Sequence, residues 1–469
     1  MLLTIRRAAA SLVVLGATLS ARAQTSAEPP GCAGVRSRVE EVLATTGAPS
    51  ASIAIVRDGR VDCAAAYGSA RLEPKTPASP AMRYSIGSVS KQFTATAILM
   101  LAEEGRLSLD DPVSRFLPDL TRAKDVRIRQ LLSHTSGYQD YWPQDYVPPF
   151  MKRETTAAAI LDRWAKRPLD FAPGSQYQYT NTAYVAAGLV VEKASGMPLM
   201  DFLERRVFRP LDMRSVLDID RGRLTESDPT GYQRFGLGPL RVAPKEGKGW
   251  LFAAGELAMT AEDLAKWNAG VIGRRLLKPA SYAEQQTAVL LTSGVASAYG
   301  LGVSVANVNG HRTIGHGGEV SGFTTTNAIF PDDRAAVSVL VNLDASNASE
   351  AIAEKLTSLL FNRTDGVEER EARAKRILEG LQKGTVDRSL LTDNASSYFT
   401  DEALHDLAAG LAPLGPPTKV EQTSQRDRGG MTFRGFDVGF GDKGDKKVAV
   451  WERDMPDGRI EQFQVMPKE

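Results

Sequence analysis

The stretch Ser88-Val89-Ser90-Lys91, which opens the run SVSKQFTATAILMLAEEG ending at Gly105, decides how the rest of the chain is read. Residues i and i+3 share one face of a helix, so a Lys91 amine can reach the Ser88 hydroxyl. A serine hydroxyl is a weak nucleophile at neutral pH and needs a base beside it. A lysine serves as that base only when burial or a neighbouring cation lowers its pKa. Val89 to Glu104 is apolar nearly all round, through Phe93, Ala97, Ile98 and Leu101, and Gly105 stops it. The pattern predicts a helix buried in the middle of a domain, with Ser88 and Lys91 at its start. Taken alone, the spacing also fits a capping serine followed by a surface lysine.

Two later elements favour the chemical reading. Tyr179-Thr180-Asn181 forms Y-x-N, and His316-Gly317-Gly318 forms H-x-G within the strand-like segment IGHGGEVSGF. In this order the three motifs resemble the serine β-lactamase, penicillin-binding-protein and family VIII esterase superfamily, above all its class C and D-alanyl-D-alanine carboxypeptidase branch. LLSHTSGY (131–138), FAPGSQYQYTN (171–181), YVAAGLVVEKASG (184–196), YGLGV (299–303) and GRLSLDDPVSRFLP (105–118) extend the resemblance over roughly residues 33–362.

The resemblance implies roles. Ser88 is the nucleophile, with its N–H at a helix N-terminus. Lys91 takes the serine proton. Tyr179 is the second base candidate, and Asn181 holds either the lysine or a substrate amide. The N–H of Glu319, just past Gly318, completes an oxyanion hole with that of Ser88. At the third motif the chain departs from the K-T-G or K-S-G of penicillin-recognising members. A histidine has a reference pKa near 6.5, so His316 is expected to be mostly neutral at pH 7, to donate a hydrogen bond, and to titrate as the pH falls. His134 in LLSHTSGY is read as structural. The expected function is an exported serine hydrolase acting through an acyl-enzyme on small amides or esters, D-amino-acid peptides included. A non-catalytic penicillin-binding-like sensor is the alternative.

Composition bounds the rest. A net charge of +1, with 42% hydrophobic and 24% charged residues, gives no reason to expect a nucleic-acid partner. With no H-E-x-x-H and no cysteine cluster, neither metal nor cofactor is expected; with no G-x-S-x-G elbow, an α/β-hydrolase is not expected. Arg6-Arg7, an apolar run over Ala8 to Leu19 and Ala21-Arg22-Ala23 read as a secretory signal over residues 1–23, too short to span a membrane, so a periplasmic or secreted protein is expected. In an oxidising compartment Cys32 and Cys63 either bond or remain separate thiols.

At 469 residues two domains are expected. Asp58-Gly59 joins strands Ala51–Val56 and Arg60–Tyr67 as a hairpin. Strand patterns return at Tyr299–Ala306, Arg312–Gly317, Phe323–Phe330 and Ala335–Asn342, after a helical and loop-rich stretch from about 106 to 290. The expected α+β fold is one antiparallel sheet flanked by terminal helices, with a helical insertion, over residues 24–362. A charged stretch (363–376), a linker or an exposed helix start, and a small α+β unit (377–469), loosely like an NTF2-like roll, follow. In that unit helices at Ile377–Leu381 and Leu404–Leu411 precede strands Met431–Phe440, Lys446–Arg453 and Gly458–Val465.

Overall fold

The computed structural model describes residues 28, 29, 31–144, 146–308, 310–361, 367–441 and 446–468. The expected secretory signal lies outside them. The main sheet is antiparallel and has seven strands: β1 (Ser50–Arg57), β2 (Arg60–Arg71), β3 (Thr76–Pro77), β4 (Ser304–Val308), β5 (His311–Val320), β6 (Phe323–Phe330) and β7 (Ala335–Val341), in the order β3-β2-β1-β7-β6-β5-β4. Strands from the two ends of this sheet's span of the chain thus meet at its centre, where Ala51 pairs with Val341 and Ile53 with Val339. Asp58 (φ 51°) and Gly59 (φ 74°) both take the left-handed conformation that a two-residue hairpin needs.

Strand alternation divides the core. Ile53, Ile55, Val337 and Val339 face helices α1 (Val35–Thr46) and α5 (Ala348–Leu360) and pack on Val39, Ile352 and Leu356. Ala54, Val56, Ala336 and Leu340 face the inserted helical region. That region contributes α2 (Lys91–Glu103), α3 (Asn181–Ser195) and α4 (Ala261–Ile272). Every residue of α2 from Lys91 to Leu101 is buried, as its all-round apolar pattern demands. Phe93 packs against Trp267 of α4 with ring centroids 4.3 Å apart. Cys32 and Cys63 are bonded, tying the segment before α1 to β2.

A third apolar cluster lies entirely in the C-terminal part of the chain. Helices α6 (Val367–Leu381) and α7 (Asp401–Leu411) pack on a four-stranded antiparallel meander of β8 (Pro417–Arg428), β9 (Met431–Phe440), β10 (Lys446–Asp454) and β11 (Ile460–Pro467). Arg373 of α6 pairs with Glu452 and Asp454 of β10 at 2.6 and 2.7 Å. Residues 367–376, in the stretch read as a linker or an exposed helix start, form the first turns of α6, because charge at helical spacing is compatible with a half-exposed helix. Two differences from expectation have physical causes. Strand β8 went unread: it is a mostly exposed edge strand and carries few apolar residues. Tyr299 to Val303 is not strand. Ala298 and Gly302 have positive φ, and the chain folds back before β4 begins at Ser304. A Cβ on Gly302 would lie 2.9 Å from the Lys91 carbonyl oxygen, so this turn sits directly against the start of α2.

Candidate active site

Ser88 lies in a single 3-10 turn, Gly87–Ser90, that feeds straight into α2. Its neighbour across the sheet edge is β5. A Cβ on Gly318 would come within 2.0 Å of the Ile86 carbonyl oxygen and 3.3 Å of the Ser88 nitrogen. A Cβ on Gly87 would come within 2.8 Å of the Glu319 nitrogen. Only glycines allow the two main chains to pass this closely, and this contact brings Ser88 and Glu319 to one place. The Glu319 carboxylate turns away and accepts the N–H of Ala345 at 2.8 Å.

Lys91 is fully buried, and its Nζ lies 2.9 Å from Ser88 Oγ, 2.8 Å from Asn181 Oδ1 and 2.9 Å from the Ala254 carbonyl oxygen. Burial pushes the amine down to about 7, while Asp140 and Glu256 pull it back up. Two of its three partners are oxygens that only accept. A neutral Lys91 therefore spends both hydrogens on Asn181 and Ala254 and leaves its lone pair facing Ser88 Oγ. Asp140 fixes Asn181 in turn, accepting its backbone N–H at 2.9 Å and its side-chain N–H at 3.3 Å. Burial, the main influence, raises the Asp140 carboxyl, against the hydrogen bonds it accepts and the nearby Lys91.

Tyr179 is also within hydrogen-bonding reach of Ser88, and the Lys91 ammonium lies 4.9 Å from its ring centre. Part of this side chain lines the cleft, yet the packing around the phenol raises its pKa far above the ordinary value. Tyr179 therefore holds its proton at neutral pH, and of the two base candidates Lys91 is the one poised to accept. His134 lies behind it, fully buried, with its ring 4.2 Å from that of Tyr179 and its Nδ1 accepting the N–H of Thr180 at 3.1 Å. It packs on the site rather than entering it.

His316 differs from its sequence-based expectation. Its Nδ1 donates to the carbonyl of Gly317, and its Nε2 lies 2.8 Å from the Tyr299 hydroxyl. A carbonyl only accepts, so Nδ1 carries the proton and Nε2 receives the Tyr299 O–H. Burial, then repulsion from Lys91, lowers the imidazole to about 3, with the Gly317 bond opposing. The expected titration near neutrality and the free ring N–H are both absent, because the ring is desolvated and both nitrogens are engaged within the protein. Sequence reasoning singled out neither Tyr299 nor Asp140, since each acts only through a partner brought to it by folding.

Ser88, Tyr179 and Glu319 stand where two clefts meet. One, of about 480 Å³, is walled by Trp142, Tyr146, Phe235, Leu251 and Val320, with Asn181 and Asp140 at its inner end. The other, of about 360 Å³, runs past His316 and carries Glu319 and Glu350 but no lysine or arginine among its described residues. The described residues contain no group of three or more His, Cys, Asp or Glu side chains placed to hold a metal ion, and no helix long and apolar enough to cross a membrane.

The chain is similar to known proteins. The family model described as beta-lactamase matches residues 35–377. Protein flp of Staphylococcus aureus is 29% identical over 338 residues, covering 69% of this chain and 65% of that protein. A D-aminopeptidase of Brucella anthropi is 29% identical over 316 residues, covering 66% of this chain and 59% of its own length. The chain thus spans less than two thirds of these curated relatives. Among solved structures, a D-stereospecific amidohydrolase from a Streptomyces species is 27% identical, with a TM-score of 0.59, over 68% of this chain and 97% of that one.

Proposed function

From a chain that belongs to the β-lactamase family, we propose a serine hydrolase that cleaves small amides or esters through an ester on Ser88. The observation that carries this is the Lys91 amine, buried, lowered to about 7 and 2.9 Å from Ser88 Oγ. Lys91 takes the Ser88 proton as Oγ adds to the substrate carbonyl. The N–H groups of Ser88 and Glu319 receive the negative oxygen of the tetrahedral intermediate. The carbon–leaving-group bond then breaks, and the proton held at Lys91 passes through the Tyr179 hydroxyl to the departing amine or alcohol. Water attacks the ester by the same route in reverse and frees Ser88.

D-amino-acid amides and esters are the favoured substrates. The sequence similarity to a D-aminopeptidase and to a D-stereospecific amidohydrolase supports that choice. The lining of the smaller cleft supports substrates without a carboxylate there, because Glu350 lines it and no lysine or arginine is among its described residues. The aromatic walls of the larger cleft suit an apolar side chain. The bond between Cys32 and Cys63 fits a protein that works outside the cytoplasm.

Labelling with a fluorophosphonate, followed by a panel of D- and L-amino-acid amides and p-nitrophenyl esters, tests the reading. The adduct is expected on the Ser88 peptide, with turnover of D-amides and esters. Undiminished hydrolysis by Ser88→Ala would overturn it. Labelling of Ser88 with no turnover of any amide or ester in the panel would make the protein a penicillin-binding-like sensor instead.

A further inference from the structure

We propose that Tyr299 is a specificity-determining residue: its hydroxyl occupies the remaining open nitrogen of His316 and so denies a substrate carboxylate a partner at the third motif. This inference deepens the serine-hydrolase reading above and rests on it.

Tyr299 is held firmly enough to do this. It is 3% exposed. Its ring packs between those of His134 and Tyr177, with centroids at 4.9 and 5.8 Å, and meets the His316 ring edge-on at 88°. The turn that carries it is pinned through Gly302 against the Lys91 main chain and the Tyr184 hydroxyl. Tyr184 in turn donates to the Leu132 carbonyl at 2.7 Å. Tyr184 is also within hydrogen-bonding reach of the Tyr299 hydroxyl, and together these contacts hold the phenol oxygen against His316.

The consequence holds in either protonation state of the ring. A neutral His316 accepts the Tyr299 O–H at Nε2. A protonated His316 would donate from Nε2 to the same phenol oxygen, because a hydroxyl can do both. Its Nδ1–H is already committed to Gly317. Neither state leaves a ring N–H for substrate. The other titratable or charged groups around the ring are Lys91 from α2, Tyr177 and Tyr179 before α3, His134, and Glu319 and Glu350, which border the same cleft.

The test uses the full chain and a single-atom change. Tyr299→Phe keeps the ring packing and removes the hydroxyl. The readout is the ratio of the acylation rate by a penicillin to kcat/KM for a neutral p-nitrophenyl ester, between pH 5 and 8. The ratio is expected to rise about tenfold at the acid end, because the freed Nε2 can take up a proton as the penicillin carboxylate docks against it, the carboxylate offsetting the burial and the Lys91 repulsion that keep the ring neutral in the free protein. In Tyr299→Phe/His316→Gln the gain should vanish, which separates an effect through His316 from general loosening. Nitrogen-15 NMR of wild type supplies a reading independent of any variant, with His316 Nε2 expected as a non-titrating acceptor over the same range. A folded Tyr299→Phe with an unchanged ratio, or a wild-type His316 whose neutral ring carries its proton on Nε2, would overturn the proposal. If no ester acylates Ser88 at all, the hydrolase reading fails, while the NMR titration still reports whether Tyr299 holds His316.

Discussion

Lys91 and His316 are two buried nitrogen bases in one site, and burial lowers both, yet only one is left ready to act. Lys91 falls from its ordinary 10.5 to about 7 and His316 from 6.5 to about 3, so burial costs the two about equally and leaves only the lysine near neutrality. Their partners decide what each nitrogen can then do. Lys91 faces oxygens that only accept, with the carboxyls of Asp140 and Glu256 nearby to restore some of its affinity for a proton. His316 has no carboxylate doing the same and a donor, Tyr299, on its lone pair. Desolvation sets the direction of a shift, but the donor or acceptor character of the neighbours decides whether the result is a working base or a fixed strut.

The largest effect should come from breaking the Lys91 side. Lys91→Arg keeps a cation but cannot release its proton at any useful pH. Its kcat should fall by about three orders of magnitude, with the circular dichroism spectrum unchanged. Near-native turnover would mean that Tyr179 is the base after all. The sign of the wild-type pH profile follows from the same residue. The amine must be unprotonated to accept from Ser88, so kcat/KM should climb with pH and level off above about 7.

A smaller effect is expected from remaking the His316 side in the image of the other. In His316→Lys one N–H can satisfy Tyr299 and the rest can face the cleft, so a penicillin carboxylate gains a partner that wild type lacks. Penicillin acylation relative to neutral ester hydrolysis should rise about tenfold. No change in that ratio would show that charge at position 316 does not select substrates.

The smallest change separates the two sites most finely. Asp140 favours the charged form of Lys91, so Asp140→Asn should lower the amine further. The acid limb of kcat/KM should then move to lower pH by about one unit, with the plateau little altered. An acid limb that stays in place would mean that another group governs it.

How much of this was legible before folding depends on how far apart the participants lie in the chain. The Ser88–Lys91 pair, the Asp58-Gly59 hairpin and the alternation in β1 and β7 are local patterns, set by the 3.6-residue and two-residue periods of the backbone, and they read directly. The motif order of Ser88, Tyr179 and His316 was equally plain. The state of each group was not. The partners that position the Lys91 lone pair are 90 and 163 residues away along the chain. Tyr299 reaches His316 only because Gly300 and Gly302, which looked compatible with a strand, turn the chain back onto α2. Asp140 stands outside every recognisable spacing. By itself the sequence determined which chemical groups are present and which faces of their elements they occupy, since those follow from covalent order and local geometry. The tertiary structure alone decided which of two similar bases keeps a usable lone pair, because that depends on how completely water is excluded and on which donors and acceptors close around each nitrogen.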